Sequence, residues 1–159
     1  MQITVNLPSR AEWALILAFA ALALAGAVLG MYALRDLNAL DSFTSRDTAR
    51  GWLAMSGAMG ACLSAMAMRD RFGRVGRGSL WHAAVAGVIT TMLVGIVAGT
   101  LVLPIFGTMF GPWLVLIALL NMPVLAVPWM FALWGYDTAR RSYTAERESL
   151  DAWGRRTHA

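Results

Sequence analysis

Few side chains in this chain could do chemistry. Its 159 residues hold two histidines, one cysteine, nine carboxylates and ten methionines. A haem held by two imidazoles needs both at one membrane depth, and the only candidates are His82 and His158. His82 opens an apolar run beside Trp81, and His158 is next to the C-terminus. A bis-histidine haem within one chain is therefore excluded, and His82 reads as an interfacial side chain. Cys62 has no second thiol for a disulfide, a CxxC pair or a thiolate cluster. Met55, Met59, Met66 and Met68 stud one segment. A metal relay would need Met, His or Cys converging at one depth, so the expected role is adaptable packing among small neighbours. Ser56, Ser64, Thr90, Thr91 and Thr100 are hydroxyls with no nearby base, suited to bonding their own helix carbonyls. No nucleotide-binding, zinc-protease or calcium-loop motif occurs, and the segment from Gly73 to Gly78 is a basic connector rather than a phosphate cradle. The expectation is a chain with no catalytic residue, no cofactor and no metal site.

The elements that position these groups follow from where charge is missing. Charged residues make up 14% of the chain against about a quarter in soluble domains, and 58% is hydrophobic. That balance argues against a soluble enzyme, a disordered tail or a nucleic-acid-binding domain. Uncharged intervals run from Trp13 to Leu34, from Gly51 to Met68 and from Gly78 to Tyr136. A helix needs about 20 apolar residues to cross the hydrocarbon core. The first two intervals hold one span each, and the third holds two, joined where Pro104, Gly107, Gly111 and Pro112 punctuate the chain. The predicted fold is an all-α, integral-membrane four-helix bundle forming one domain. Its spans lie at about 13–34, 51–68, 80–103 and 112–136, followed by a tail over 137–159. Arg10 with Ala23, Ala25 and Ala27 superficially fits a cleaved signal peptide. The run is too long and Glu12 sits in its flank, so an uncleaved span is expected.

All 13 basic residues are arginine, and their distribution sets the expected orientation. Ten lie in the N-terminus, the 69–79 connector and the tail, against three in the 35–50 loop. This bias predicts both termini in the cytoplasm of a multi-pass bacterial inner-membrane protein. The arginine clusters hug the span ends as topology-setting flanks, with anionic lipid headgroups as partners and no nucleic acid. Trp13, Tyr32, Trp52, Trp81, Trp113, Trp134 and Tyr136 stand near span boundaries as interface anchors, whereas Trp129 lies deeper and should pack against protein.

Small residues mark the packing faces. The expected contact positions are Gly26 and Gly30 in the first span, Gly57 and Gly60 in the second, and Gly87, Gly95 and Gly99 in the third. They would serve the bundle itself, other membrane subunits or self-association. The fourth span is irregular, because Asn121, Pro123 and Pro128 put an amide and two missing N–H donors near its middle. A kink is the expectation there. A polar path of Thr90, Thr91 and Asn121 is the alternative. In the outer loop Leu37, Leu40 and Phe43 suggest a short interfacial helix, with Ser45 or Asp47 capping the next span. The last span should continue into the tail, with an apolar stripe of Tyr143, Leu150 and Trp153. These features point to a non-catalytic accessory subunit or assembly factor of a larger membrane complex, for which a respiratory or photosynthetic host is plausible. The alternative is a small oligomeric transporter or channel component.

Overall fold

A computed structural model describes residues 9–33, 46–73 and 79–157, and among them every regular element is a helix. There are five: α1 (Arg10–Ala33), α2 (Arg46–Ala67), α3 (Ser79–Val102), α4 (Phe106–Asn121) and α5 (Pro123–Thr157). α1 and α3 are long and apolar enough to cross a membrane, and the bent α4–α5 pair counts as a third candidate span. The length and composition of these helices are those of a membrane protein. α2 falls short, because Arg50, three glycines and two serines hold its mean hydropathy down. The predicted outer-loop helix, the candidate cap Ser45 and most of the glycine-rich connector lie outside the described residues, and Asp47 falls within α2.

Local sequence explains the helix ends. α1 starts with a capping box: the Ser9 hydroxyl accepts the Glu12 N–H at 3.2 Å, and the Glu12 carboxylate accepts the Ser9 N–H at 3.0 Å. α3 and α4 are joined by a three-residue γ-turn. Ile105 sits at φ 73°, ψ −67°, and Phe106 N–H donates to the Pro104 carbonyl at 3.0 Å. The reversal is therefore shorter than predicted, and Gly107 and Gly111 belong to α4 instead of a loop.

The largest departure from expectation is the last span. The chain over 112–136 is not one kinked helix; it breaks at Met122, where α4 and α5 meet at 112°. A residue before proline is pushed out of the helical region, and Met122 sits at φ −126°, ψ 78°. Pro123 then occupies the first position of α5, where its missing N–H costs nothing. Pro128 lies within α5 without ending it, and α5 continues through Thr157 as the tail pattern predicted.

α1 with α2, α3 with α4, and α1 with α5 pack antiparallel. Gly26 and Gly30 of α1 meet Gly57 of α2, Gly60 of α2 meets Val94 and Ala98 of α3, and Gly99 of α3 meets Gly107 of α4. α5 returns along α1, with Phe19 edge-on to Tyr136 and the Ser9 hydroxyl donating to Glu146 at 3.0 Å. The start of α1, the end of α2 and the second half of α5 thus share one end of the molecule. Leu22, Leu29, Ala61, Ala65, Val94, Trp129 and Tyr136 form the core between the helices.

Two side-chain assignments change. Tyr136 is not an interface anchor: it is 1% exposed, caught between Phe19 and Phe72 with its hydroxyl donating to the Ala65 carbonyl. Met55, Met59 and Met66 do not pack among the small residues of α2. They form an outward stripe with Trp52 and Leu63, and only Met68 of this group is buried.

Candidate functional site

The seven glycines expected at helix contacts fall into four interfaces within the chain. A Cβ built at Gly26 would lie 2.6 Å from the Gly57 carbonyl oxygen, and one at Gly30 would lie 2.6 Å from that of Leu53. On the other side of α2, a Cβ at Gly60 would come within 3.1 Å of the Val94 carbonyl oxygen. α2 is small on two faces because it has two neighbours in its own chain. Gly95 and Gly99 face α4, where a Cβ at Gly95 would lie 2.6 Å from Pro112 Cα. Gly87 is looser, with Leu133 as its neighbour at 3.6 Å. Five of these positions therefore need glycine for close approach, and at Gly60 an added carbon would be a tight fit. Sequence reasoning missed their facing half on α4, Gly107 and Gly111, although their four-residue spacing matches that of Gly95 and Gly99.

The three residues of the alternative polar path lie in different settings, Thr90 and Thr91 buried and Asn121 exposed. Asn121 is exposed at the end of α4, and among the described residues no hydrogen bond joins it to Thr90 or Thr91. Thr91 bonds elsewhere. Its hydroxyl donates to the Gly87 carbonyl at 2.8 Å and accepts the Trp129 indole N–H at 2.9 Å. This relay fastens α5 to α3 inside the apolar core, with Trp129 only 2% exposed. Thr90 and Ser64 are buried with hydroxyls that have no partner among the described residues. Thr100 and Thr108 share a 2.7 Å hydrogen bond near the α3–α4 turn. Replacing Thr91 by valine leaves the Trp129 N–H unpaired in a dry interior, at an expected cost of about 1–3 kcal/mol. The unfolding midpoint in detergent should fall accordingly. The same substitution in a Trp129→Phe background should cost clearly less.

The most concentrated chemistry lies at the shared end of the bundle, on a residue the sequence placed only in a flank. Asp137 is 3% exposed. One carboxylate oxygen accepts the Gly73 N–H at 2.8 Å, and the other accepts an Arg141 guanidinium N–H at 2.5 Å one helical turn on. Gly73 is reached just beyond α2, at φ 79°, where a Cβ would also lie 2.9 Å from Arg140 Cγ. Only glycine suits both conditions, so the loop N–H is presented to Asp137 at contact distance. A buried carboxylate is tolerable only when such partners replace its water. The Arg141 Nε is buried and has no partner among the described residues.

Two cavities meet at this end. One, of about 450 Å³, is polar and lined by Arg69, Asp70, Gly73, Arg140, Arg141 and Glu148 among others. The second, of about 520 Å³, is an apolar cleft between α3, α4 and α5 whose walls include Ala84, Val88, Leu119, Trp129 and Leu133. Phe72 lines both. A third apolar groove, of about 580 Å³, runs between α1 and α5 past Leu24, Val28, Pro128 and Phe131. Among the described residues no group of three His, Cys, Asp or Glu side chains is placed to hold a metal ion. No family model, no curated protein and no solved structure matches the chain.

Proposed function

We propose that this chain is a non-catalytic accessory subunit, or an assembly and stability factor, of a larger bacterial inner-membrane complex. In this reading α1, α2, α3 and the bent α4–α5 pair make four crossings with both termini in the cytoplasm. The arginine bias supports that orientation, and the Ser9–Glu146 contact, which joins the two ends of the chain, supports an even number of crossings. The observation that carries the functional reading is how the polar groups at depth are used. Thr91, Trp129 and the Gly87 carbonyl hold helices to one another, so these groups act in packing. Since the glycine ridges are occupied within the chain, partners would meet the bulky outer face of α4, where Phe106, Met109, Phe110 and Trp113 are exposed. Gentle purification of the chain from native membranes should yield a stoichiometric complex. A chain that runs alone under those conditions removes the proposal.

The break at Met122 supports a second reading, a component of a small oligomeric transporter or channel, because discontinuous helices line many transport sites. Asn121→Leu separates the two readings. Lost flux with assembly intact favours transport, whereas an unchanged complex without any flux to lose favours the accessory role.

A further inference from the structure

We propose that the polar cavity and the α3–α4–α5 cleft form one binding site for an anionic glycerophospholipid, with its phosphate among Arg69, Arg140 and Arg141 and an acyl chain in the cleft. The proposal rests on the membrane reading of the chain but not on the presence of a partner complex. Phe72 lines both cavities, so a chamber bearing charged groups lies directly beside an apolar one. That succession of environments fits an amphiphile with a charged head and a hydrocarbon tail. A partner helix is about 10 Å across and would not enter, whereas about 520 Å³ is an ordinary size for a small-molecule pocket.

The head end has donors to spare. Arg141 gives one N–H to Asp137 and keeps a buried Nε without a partner. Among the described residues the Arg140 guanidinium makes one long 3.5 Å bond, to the Arg69 carbonyl, and lies 5.9 Å from the Tyr143 ring centre. Arg69 pairs with Asp70 at 3.6 Å in an exposed contact of small worth, readily exchanged for a phosphate. Two carboxylates, Asp70 and Glu148, also line the chamber. They limit the net charge and leave binding dependent on directed guanidinium hydrogen bonds, which suit phosphate oxygens.

The test is native mass spectrometry of the full chain released from neutral detergent. Its probes are palmitoyl-oleoyl phosphatidylglycerol, phosphatidylcholine with the same chains, dihexanoyl phosphatidylglycerol and inorganic phosphate. The long-chain anionic lipid should bind about tenfold more tightly than the choline lipid, whose phosphate is the same but whose trimethylammonium group would add a further cation beside the three arginines. An Arg69→Gln/Arg140→Gln double variant with an unchanged helical circular dichroism spectrum should lose that preference. Ala84→Trp, which fills the cleft, should weaken the long-chain lipid but not the dihexanoyl one. Equal binding of the two long-chain lipids, or a preference untouched in the folded double variant, overturns the site. Phosphate binding as tight as that of the lipid overturns the assignment to a lipid. Should the double variant not fold, the lipid comparison on the native chain and the Ala84→Trp result still decide. Each readout uses the isolated chain, so failure to find a partner complex leaves it unaffected.

Discussion

Gly107→Ala should destabilise the protein, whereas the same substitution at Gly135 should stabilise it. In a helix, alanine is favoured over glycine by about 1 kcal/mol, so propensity alone predicts a gain at both positions. Space decides otherwise at Gly107. A methyl group there would collide with the Gly99 carbonyl, and the obstacle is backbone on the facing helix. α3 and α4 must separate to admit it, losing contact along the Gly95–Gly111 and Gly99–Gly107 seam. Forcing a close-packed interface apart costs about 2–4 kcal/mol, a large part of a stability of about 5–15 kcal/mol. At Gly135 nothing lies within 4 Å of the added carbon, and a gain of about 0.5–1 kcal/mol is expected. Thermal unfolding in detergent, followed by circular dichroism, should move in opposite directions. A matching shift of both variants would refute the close seam.

The second large effect is expected at Asp137. Asp137→Ala leaves the Gly73 N–H without its acceptor and strands the partly buried Arg141 guanidinium. Breaking a buried pair by removing one member costs about 3–5 kcal/mol, and the lower end applies because Arg141 keeps some access to water. Asp137→Asn retains an oxygen for Gly73 and should lose less. The Asp137→Ala/Arg141→Ala double variant should be markedly more stable than the sum of the single losses implies, since neither residue is left as a lone buried charge. Strictly additive losses would mean that the pair is not coupled.

The helical class and the approximate positions of α1, α2 and α3 were legible in the sequence, because apolar length and charge-free intervals are one-dimensional properties. The long tail helix and the burial of Trp129 followed in the same way. What misled was the meaning of glycine and proline. Gly107 and Gly111 stand next to two prolines and read as punctuation, but a glycine that ends a helix and one that admits a neighbouring backbone look alike until the partner is known. The same ambiguity covers Pro123, which could kink a helix or begin one; Met122 leaving helical geometry decides in favour of a beginning. Asp137 shows a different limit. Nothing in a linear pattern separates a flank carboxylate from one buried at 3%, since its main partner, the Gly73 N–H, lies 64 residues away. The Ser9–Glu12 capping box was present as a pattern all along and needed no structure to find it.

The pairing of α5 with α1 has a consequence for biogenesis. α1 is completed by α5, so Phe19 waits for Tyr136 while everything between them is translated. At about 5–20 residues per second, that wait is on the order of ten seconds. During it α2 can already pack against Gly26 and Gly30, but the side of α1 that meets α5 stays open. A ribosome that stalls before α5 would release a product with this seam permanently open.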